Sequence, residues 1–357
     1  MIGVVLIGAL AGQLLAPATP GRRSPAPAPD STTTTFTVGG VRVIHRRAAS
    51  ATVVANLYLL GGVRAAPDGR AGLENFLLQV SERGTARYPR DVLRRSMART
   101  GSEMVIEPRE DWTLAGLRTV PTELDSSWAI FTDRLMRPRL DSGDVEFVRA
   151  QMLAGIRQRE DSPDAQLDYL ADSVTFVAHP YALSPVGTAR TLAAITRSDL
   201  QRFHREQFVT SRMLLVVVGN VDRATIERLV SASLATLPAG QYRWTMPDTA
   251  ASNGGEPAIV RRALPTNYLQ GYFRGPPANS PDAAALRVAT AVLSGRLFGE
   301  IRSKRNLTYA VNATYRDRAM TSVGLYVTTT LPDSVLAIML AEVRTLKLFP
   351  IQTEMLR

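Results

Sequence analysis

GLENFLLQV, residues 72–80, is the stretch on which the reading of this chain turns. Leu73, Phe76, Leu77 and Val80 recur at helical spacing, so the segment reads as the core of an amphipathic helix. The loop PDGRAG (67–72) leads into it, and Gly61-Gly62 closes a strand-like run before that loop. Its polar positions, Glu74, Asn75 and Gln79, include no histidine.

Working outward, TFTVGGVRVIHR (35–46) and ATVVANLYLLGG (51–62) read as β-branched strands joined by turns. RDVLRRSMART (90–100) reads as a helix stopped by Gly101. SEMVIEPREDWTLAGLRTV (102–120) alternates like paired strands, and helices are expected over ELDSSWAIFTDRLM (123–136) and SGDVEFVRAQMLAGIRQRE (142–160). RMLLVVVGNVD (212–222) reads as a short buried strand, with a helix over RATIERLVSASLATL (223–237). A second half repeats this plan in outline. It has a strand near NYLQGYFRG, a helix over PDAAALRVATAVLSG, a shorter helix over RLFGEIRSKR, strands at TYAVNATY and SVGLYVTTT, and a helix over DSVLAIMLAEVRTL. Strand pairs and helices mix without regular β-α alternation, which predicts an α+β fold of two half-domains, each an antiparallel-rich sheet covered by helices.

The chain has 357 residues, 45% of them apolar and 21% charged, a mixture that can bury a core. It has no cysteine, which excludes disulfides, thiolate zinc and a cysteine nucleophile. The net charge of +10 is spread along the sequence with acidic residues interspersed, so no nucleic-acid partner is expected. Ile2–Leu15 is an apolar run too short to span a bilayer comfortably, and Ala16-Pro17-Ala18 is a small-x-small cleavage site. We expect a signal peptide over 1–18 and a periplasmic or secreted location, with membrane contact only if that segment stays uncleaved. A flexible linker is expected over 19–35, an N-terminal half-domain over 36–238, a second linker over 239–256 and a C-terminal half-domain over 257–357.

Histidines occur only at 45, 179 and 204, and no two share a helix face at i, i+4. No G-x-S-x-G elbow and no glycine-rich phosphate loop is present. Glu74, Glu82, Glu107 and Glu110 read individually as solvated surface carboxylates.

The order and spacing of TFTVGGVRVIHR, LYLLGG, GLENFLLQVSERGT, IRQREDSPD, HPYALSPVGTARTLAAITRSDLQRFHREQF and MLLVVVGNVD resemble the pitrilysin/insulinase family of zinc peptidases, from about Phe36 to the C-terminus. The resemblance implies an H-x-x-E-H helix in which two histidines hold zinc, a glutamate acts as general base and a distal glutamate completes the metal shell. The matching positions here are Asn75, Leu78, Gln79 and Gly155. All four are substituted, so neither metal nor cofactor is expected in this chain. The family's arginine–tyrosine pair, seven residues apart, falls on Arg302 and Tyr309 in IRSKRNLTY. There it binds substrate and steadies the developing oxyanion.

Lost metal positions beside a retained Arg–Tyr pair resemble the non-catalytic subunit of a heterodimeric member. The implied partner is a catalytic homologue with an intact H-x-x-E-H, which supplies the zinc, and the implied substrate is a peptide, cut in a closed chamber. The alternative is a stand-alone peptide-binding or scaffold pseudoenzyme. Chains of this type continue past LPDSVLAIMLAEVRTLKL, so a truncated C-terminal half-domain is expected.

Overall fold

The computed structural model describes residues 32–248 and 257–348. The expected signal segment, residues 19–31 of the first linker, residues 249–256 of the second and the C-terminal stretch 349–357 lie outside the described residues.

Alternating β-branched residues build the first sheet. β1 (Thr33–Val38) and β2 (Val41–Arg47) form a hairpin about Gly39-Gly40, both at positive φ. β1 takes residues 33–35 of the stretch expected as linker. That is a correction with a simple cause: these are β-branched threonines that pair with Ile44, His45 and Arg46. β3 (Val53–Leu60) buries alternate residues, as a half-covered strand must. It leads through Gly61-Gly62 to α1 (Leu73–Ser81) and α2 (Arg90–Thr100), which ends at Gly101 in the left-handed region. β4 (Glu103–Pro108) and β5 (Trp112–Thr119) form the next hairpin. Helices α3 (Leu124–Met136), α4 (Ser142–Asp161), α5 (Pro163–Thr175), α6 (Ala189–Ala194) and α7 (Arg197–Gln207) precede β6 (Met213–Gly219), and α8 (Arg223–Ser231) follows it.

The six strands run in the order β1-β2-β6-β3-β5-β4, antiparallel except for the parallel pair β2–β6. β6, the last of the six along the chain, inserts between β2 and β3. The core lies between this sheet and the helices. It joins Leu57, Leu59 and Leu215 of the strands to Phe76, Leu77 and Leu78 of α1, with Trp128, Val148, Ile156 and Leu200 on the helices around them.

The second half has β7 (Asn267–Pro277), α9 (Pro281–Leu297), β8 (Val311–Arg316), β9 (Met320–Thr329) and α10 (Pro332–Leu348). Its sheet runs β7-β9-β8, all antiparallel, over a smaller core that includes Leu297, Ile301, Val327, Val335 and Met339. RLFGEIRSKR is not a separate helix. α9 runs on into a π-helical turn at Phe298–Ser303, because Leu297 and Ile301 keep one buried face continuous. The architecture is α+β, two helix-covered sheets rich in antiparallel pairs.

The stretch 239–248 is tacked onto the first half. Tyr242 N–H bonds Ser211 Oγ at 3.1 Å, Arg64 donates to the Thr245 carbonyl at 2.9 Å, and the Arg64 guanidinium lies over Trp244. Among the described residues no helix is long and apolar enough to cross a membrane.

Candidate functional site

α1 begins at Gly72, whose φ of +88° and close approach to Gly187 leave no room for a side chain. Seen from its neighbours, α1 is a core helix. Leu73, Phe76, Leu77, Leu78 and Val80 are buried, and α4 and α7 pack against it. Glu74 is buried too, a correction to its reading as a surface carboxylate. Its Oε2 accepts from Arg212 Nη2 at 2.8 Å, and Arg212 is fully buried, donating also to the carbonyls of Leu60 (2.7 Å) and Gln207 (3.2 Å). Each of its three nitrogens thereby donates to a partner, and Glu74 supplies the opposite charge that a buried guanidinium requires. Glu82 likewise carries a buried partner, Arg134, at 2.9 Å. Of the four acids read as surface groups, Glu107 alone keeps an exposed partner, Arg109, because Glu110 meets the buried Arg318.

The four positions that the resemblance assigns to metal and base divide by environment. Asn75 is buried, and its Oδ1 has no hydrogen-bond partner among the described residues. Leu78 is 1% exposed and belongs to the core cluster. Gln79 is half-buried, and Gly155 is exposed on α4 with open space where a Cβ would stand. This donor set does not fit zinc. Two neutral amides are weak ligands, a leucine offers no donor or base, and a glycine offers no side chain. Among the described residues no three His, Cys, Asp or Glu side chains lie close enough to share a metal.

Arg302 and Tyr309 are brought together. Arg302 sits in the π-helical turn, with its guanidinium carbon 4.5 Å from the Tyr309 ring centre and 4.9 Å from that of Phe298. The connecting loop is held by local bonds. Asn306 N–H reaches the Arg302 carbonyl and Leu307 N–H the Ile301 carbonyl, both at 3.0 Å, while Thr308 Oγ1 donates to the Ala310 carbonyl at 2.9 Å. Asn306 adopts positive φ to make the turn, a conformation asparagine tolerates. Glu300 takes up the neighbouring cations. Hydrogen bonds from Lys304 and then Arg305 hold its carboxyl down at about 2. Among the described residues Arg302 therefore has ring contacts and no carboxylate partner. Tyr309 is 82% exposed. No hydrogen bond, ion pair or ring contact among the described residues joins this pair to α1.

Sequence reasoning missed the joint between the halves. Asp164, Asp168 and Asp172 form one stripe on α5 at i, i+4, i+8, and each reaches the second sheet. Asp164 accepts from Tyr326 Oη at 2.6 Å, and Asp168 from Gln270 Nε2 at 2.6 Å and Tyr272 Oη at 3.1 Å. Asp172 takes both terminal nitrogens of Arg318, at 2.9 and 2.6 Å. Glu110 adds a second carboxylate to Arg318 at 2.8 Å. Burial alone would ease this guanidinium's proton off, but the hydrogen bonds to Asp172 and the charge of Glu110 outweigh it and raise its pKa. Alongside, Asp111 accepts from Tyr181 Oη (2.7 Å), the Ala319 amide (2.8 Å) and Arg64 (2.9 Å). Burial, reinforced by the Asp111 charge, pushes the Tyr181 phenol well up. The signal available in the sequence was the four-residue spacing of the three aspartates.

The chain is similar to known proteins along most of its length. Residues 194–357 match the family model described as the peptidase M16 inactive domain. An uncharacterized zinc protease of Mycobacterium leprae is 28% identical over 284 residues, 76% of this chain and 63% of that protein. The mitochondrial-processing peptidase subunit beta of Lentinula edodes is 23% identical, covering 77% of this chain and 63% of that protein. The chain thus spans less than two thirds of the length of these two relatives. Among solved structures, a peptidase M16 inactive domain from Pseudomonas fluorescens superposes with a TM-score of 0.81 at 19% identity, over 91% of this chain and 81% of that one. The fold, the segment order and these matches support the resemblance to the pitrilysin/insulinase family of metallopeptidases, with residues 194–357 similar to its inactive domain.

Proposed function

We propose that this chain is a non-catalytic, arginine- and tyrosine-donating subunit of a two-chain zinc peptidase. The observation that carries the reading is the contrast between two helices. On α1 the base position is a core leucine, while after α9 a guanidinium without a carboxylate partner lies beneath an exposed phenol. A structural arginine in this chain is paired, as Arg212 and Arg318 are, so an arginine held by rings alone is available to an incoming anion or carbonyl. Arg302 and Tyr309 would grip a peptide carbonyl and stabilise the charge that develops on it, and the partner chain would supply the zinc and the general base. The apolar segment at Ile2–Leu15 supports a periplasmic or secreted setting for this assembly.

The test is a peptide-cleavage assay on three samples: this chain, a homologue with an intact H-x-x-E-H from the same source, and the mixture. The reading expects activity in the mixture above either part, with kcat reduced about 100-fold or more by Arg302→Ala, the scale of losing an oxyanion donor. No gain on mixing refutes the shared site and leaves a stand-alone binding protein. Zinc-dependent cleavage by this chain alone refutes the reading of Asn75, Leu78, Gln79 and Gly155 as non-functional.

A further inference from the structure

RGTARYPRDVLRRSMARTGSE, residues 83–103, carries six arginines and two acids. Folding separates the two signs. Arg83 is taken by Asp144 at 3.1 Å, while Glu82 turns to the buried Arg134 at 2.9 Å and Glu103 to Arg118 at 3.5 Å. Arg87, Arg90, Arg94, Arg95 and Arg99 are exposed, and none has an ion pair or ring contact among the described residues. Asp91 is the only acid on α2 itself. The acids that the sequence intersperses here therefore leave five guanidiniums uncompensated in and just before one helix.

α2 sets Leu93 and Thr100 into the protein and packs against α3. At 3.6 residues per turn, Arg90, Arg94, Arg95 and Arg99 then fan over its exposed half. The small Ala98 lies at the centre of the fan, and Val92, 37% exposed, at its margin. Arg90–Arg94 and Arg95–Arg99 are like-charged i, i+4 pairs, which destabilise a helix left to itself. A counter-charge from outside the chain turns that cost into a contact. The helix is about 16 Å long, and charge spread over half its girth faces a plane. A single acidic strand would meet one row of it, whereas a bilayer presents phosphates to every row. Each planar guanidinium can take a phosphate by two parallel hydrogen bonds.

We propose that the exposed face of α2 is a docking surface for an anionic phospholipid bilayer. Arg87, Arg90, Arg94, Arg95 and Arg99 lie on headgroup phosphates, and Val92 meets the apolar boundary beneath them. The contact is independent of the apolar segment Ile2–Leu15. It is also separate from Arg302 and Tyr309 and does not rest on the shared-peptidase reading.

The experiment is vesicle flotation of the full chain at low salt. One set of vesicles holds phosphatidylglycerol and phosphatidylcholine in equal parts, the other phosphatidylcholine alone. Each arginine near an anionic surface multiplies partitioning about fivefold. The triple variant Arg90→Gln, Arg94→Gln, Arg95→Gln keeps a good helix former at each position and is expected to lower partitioning to the anionic vesicles about 100-fold. Asp91→Asn is expected to raise it about fivefold. Arg42, Arg157 and Arg205 are exposed on β2, α4 and α7. Changing these three to glutamine removes the same charge and is expected to leave partitioning within about threefold of wild type. Because the chain has no cysteine, Val92→Cys carries a single environment-sensitive dye, whose emission is expected to shift to the blue on the anionic vesicles. Equal loss from the two triple variants overturns the proposal and assigns binding to the overall charge of the chain. Equal partitioning to the neutral vesicles overturns it in favour of apolar insertion, as by Ile2–Leu15. An unshifted dye places the contact elsewhere. Binding of polyglutamate that the α2 variant loses, with none to the anionic vesicles, assigns the face to an acidic protein segment.

Discussion

Restoring the general base at its family position, by Leu78→Glu, is the most direct test of α1 as a packing helix. Leu78 is 1% exposed among Val148, Ile156 and the β-sheet leucines of one core cluster. The substitution forfeits about 1.5–3 kcal/mol of apolar burial. A carboxyl in that setting stays protonated, its pKa pushed up to about 8–9 as in other buried glutamates. At pH 7 the unfolded chain ionises the same group with a pKa of about 4.3. Holding it neutral in the fold then costs about 1.36 kcal/mol per pH unit, or about 3.7 kcal/mol. The sum, about 5–7 kcal/mol, is as large as the whole stability of many domains. The sign is fixed by linkage: a folded-state pKa above the unfolded one adds a penalty that is small at pH 5, about 1 kcal/mol, and grows as pH rises. Urea denaturation of the wild-type chain, Leu78→Glu and Leu78→Gln at pH 5 and pH 7.5 reads both parts. The glutamine variant loses packing without the pH-dependent penalty. A glutamate variant within about 1 kcal/mol of wild type at both pH values would refute the argument. It would mean that position 78 faces solvent and is open to a catalytic role.

Gly155→Ala is expected to stabilise the chain by about 0.5–1 kcal/mol, since Gly155 lies inside α4 with open space at its Cβ; equal or lower stability in the same urea series counts against that placement. Glu74→Ala strips the fully buried Arg212 of its carboxylate and is expected to cost about 3–5 kcal/mol, read by the midpoint of chemical denaturation; a loss under about 1 kcal/mol would place the pair at the surface. Burial lowers the pKa of His45, His179 and His204 below the usual 6.5, so the fold favours their neutral forms. The stability they contribute is present above about pH 6.5 and is lost as pH falls below it. Tm is accordingly expected to decline between pH 7 and pH 5, and a flat profile across that window would contradict it. Carboxylates enter only lower down. Asp199, for example, is raised by burial yet held below its usual value by hydrogen bonds from Thr196.

Much of this protein was legible from local pattern. The hairpin β1–β2, the strand closing at Gly61-Gly62, the α1 frame and the stop at Gly101 each follow from side-chain periodicity and from glycines in the left-handed region, properties carried by neighbouring residues. Leu78 and Gly155 could be read as unable to act in metal chemistry, because a residue without a donor atom lacks one in every fold. Arg302 and Tyr309 could be paired only through the family resemblance. Their contact depended on a π-helical turn and on an asparagine at positive φ. Glu74 shows the limit. As a single letter it matches any surface acid, and its burial came from Arg212, 138 positions away on another element.

What sequence alone determined was the kind of elements, their order and the loss of donor chemistry on α1. The tertiary structure alone decided two things: which arginines are neutralised, and how α5 joins the halves through Asp164, Asp168 and Asp172. The physical reason is the same for both. Periodicity and side-chain chemistry act over a few residues, whereas an ion pair or an interface is a relation between segments that only folding brings within a few ångströms.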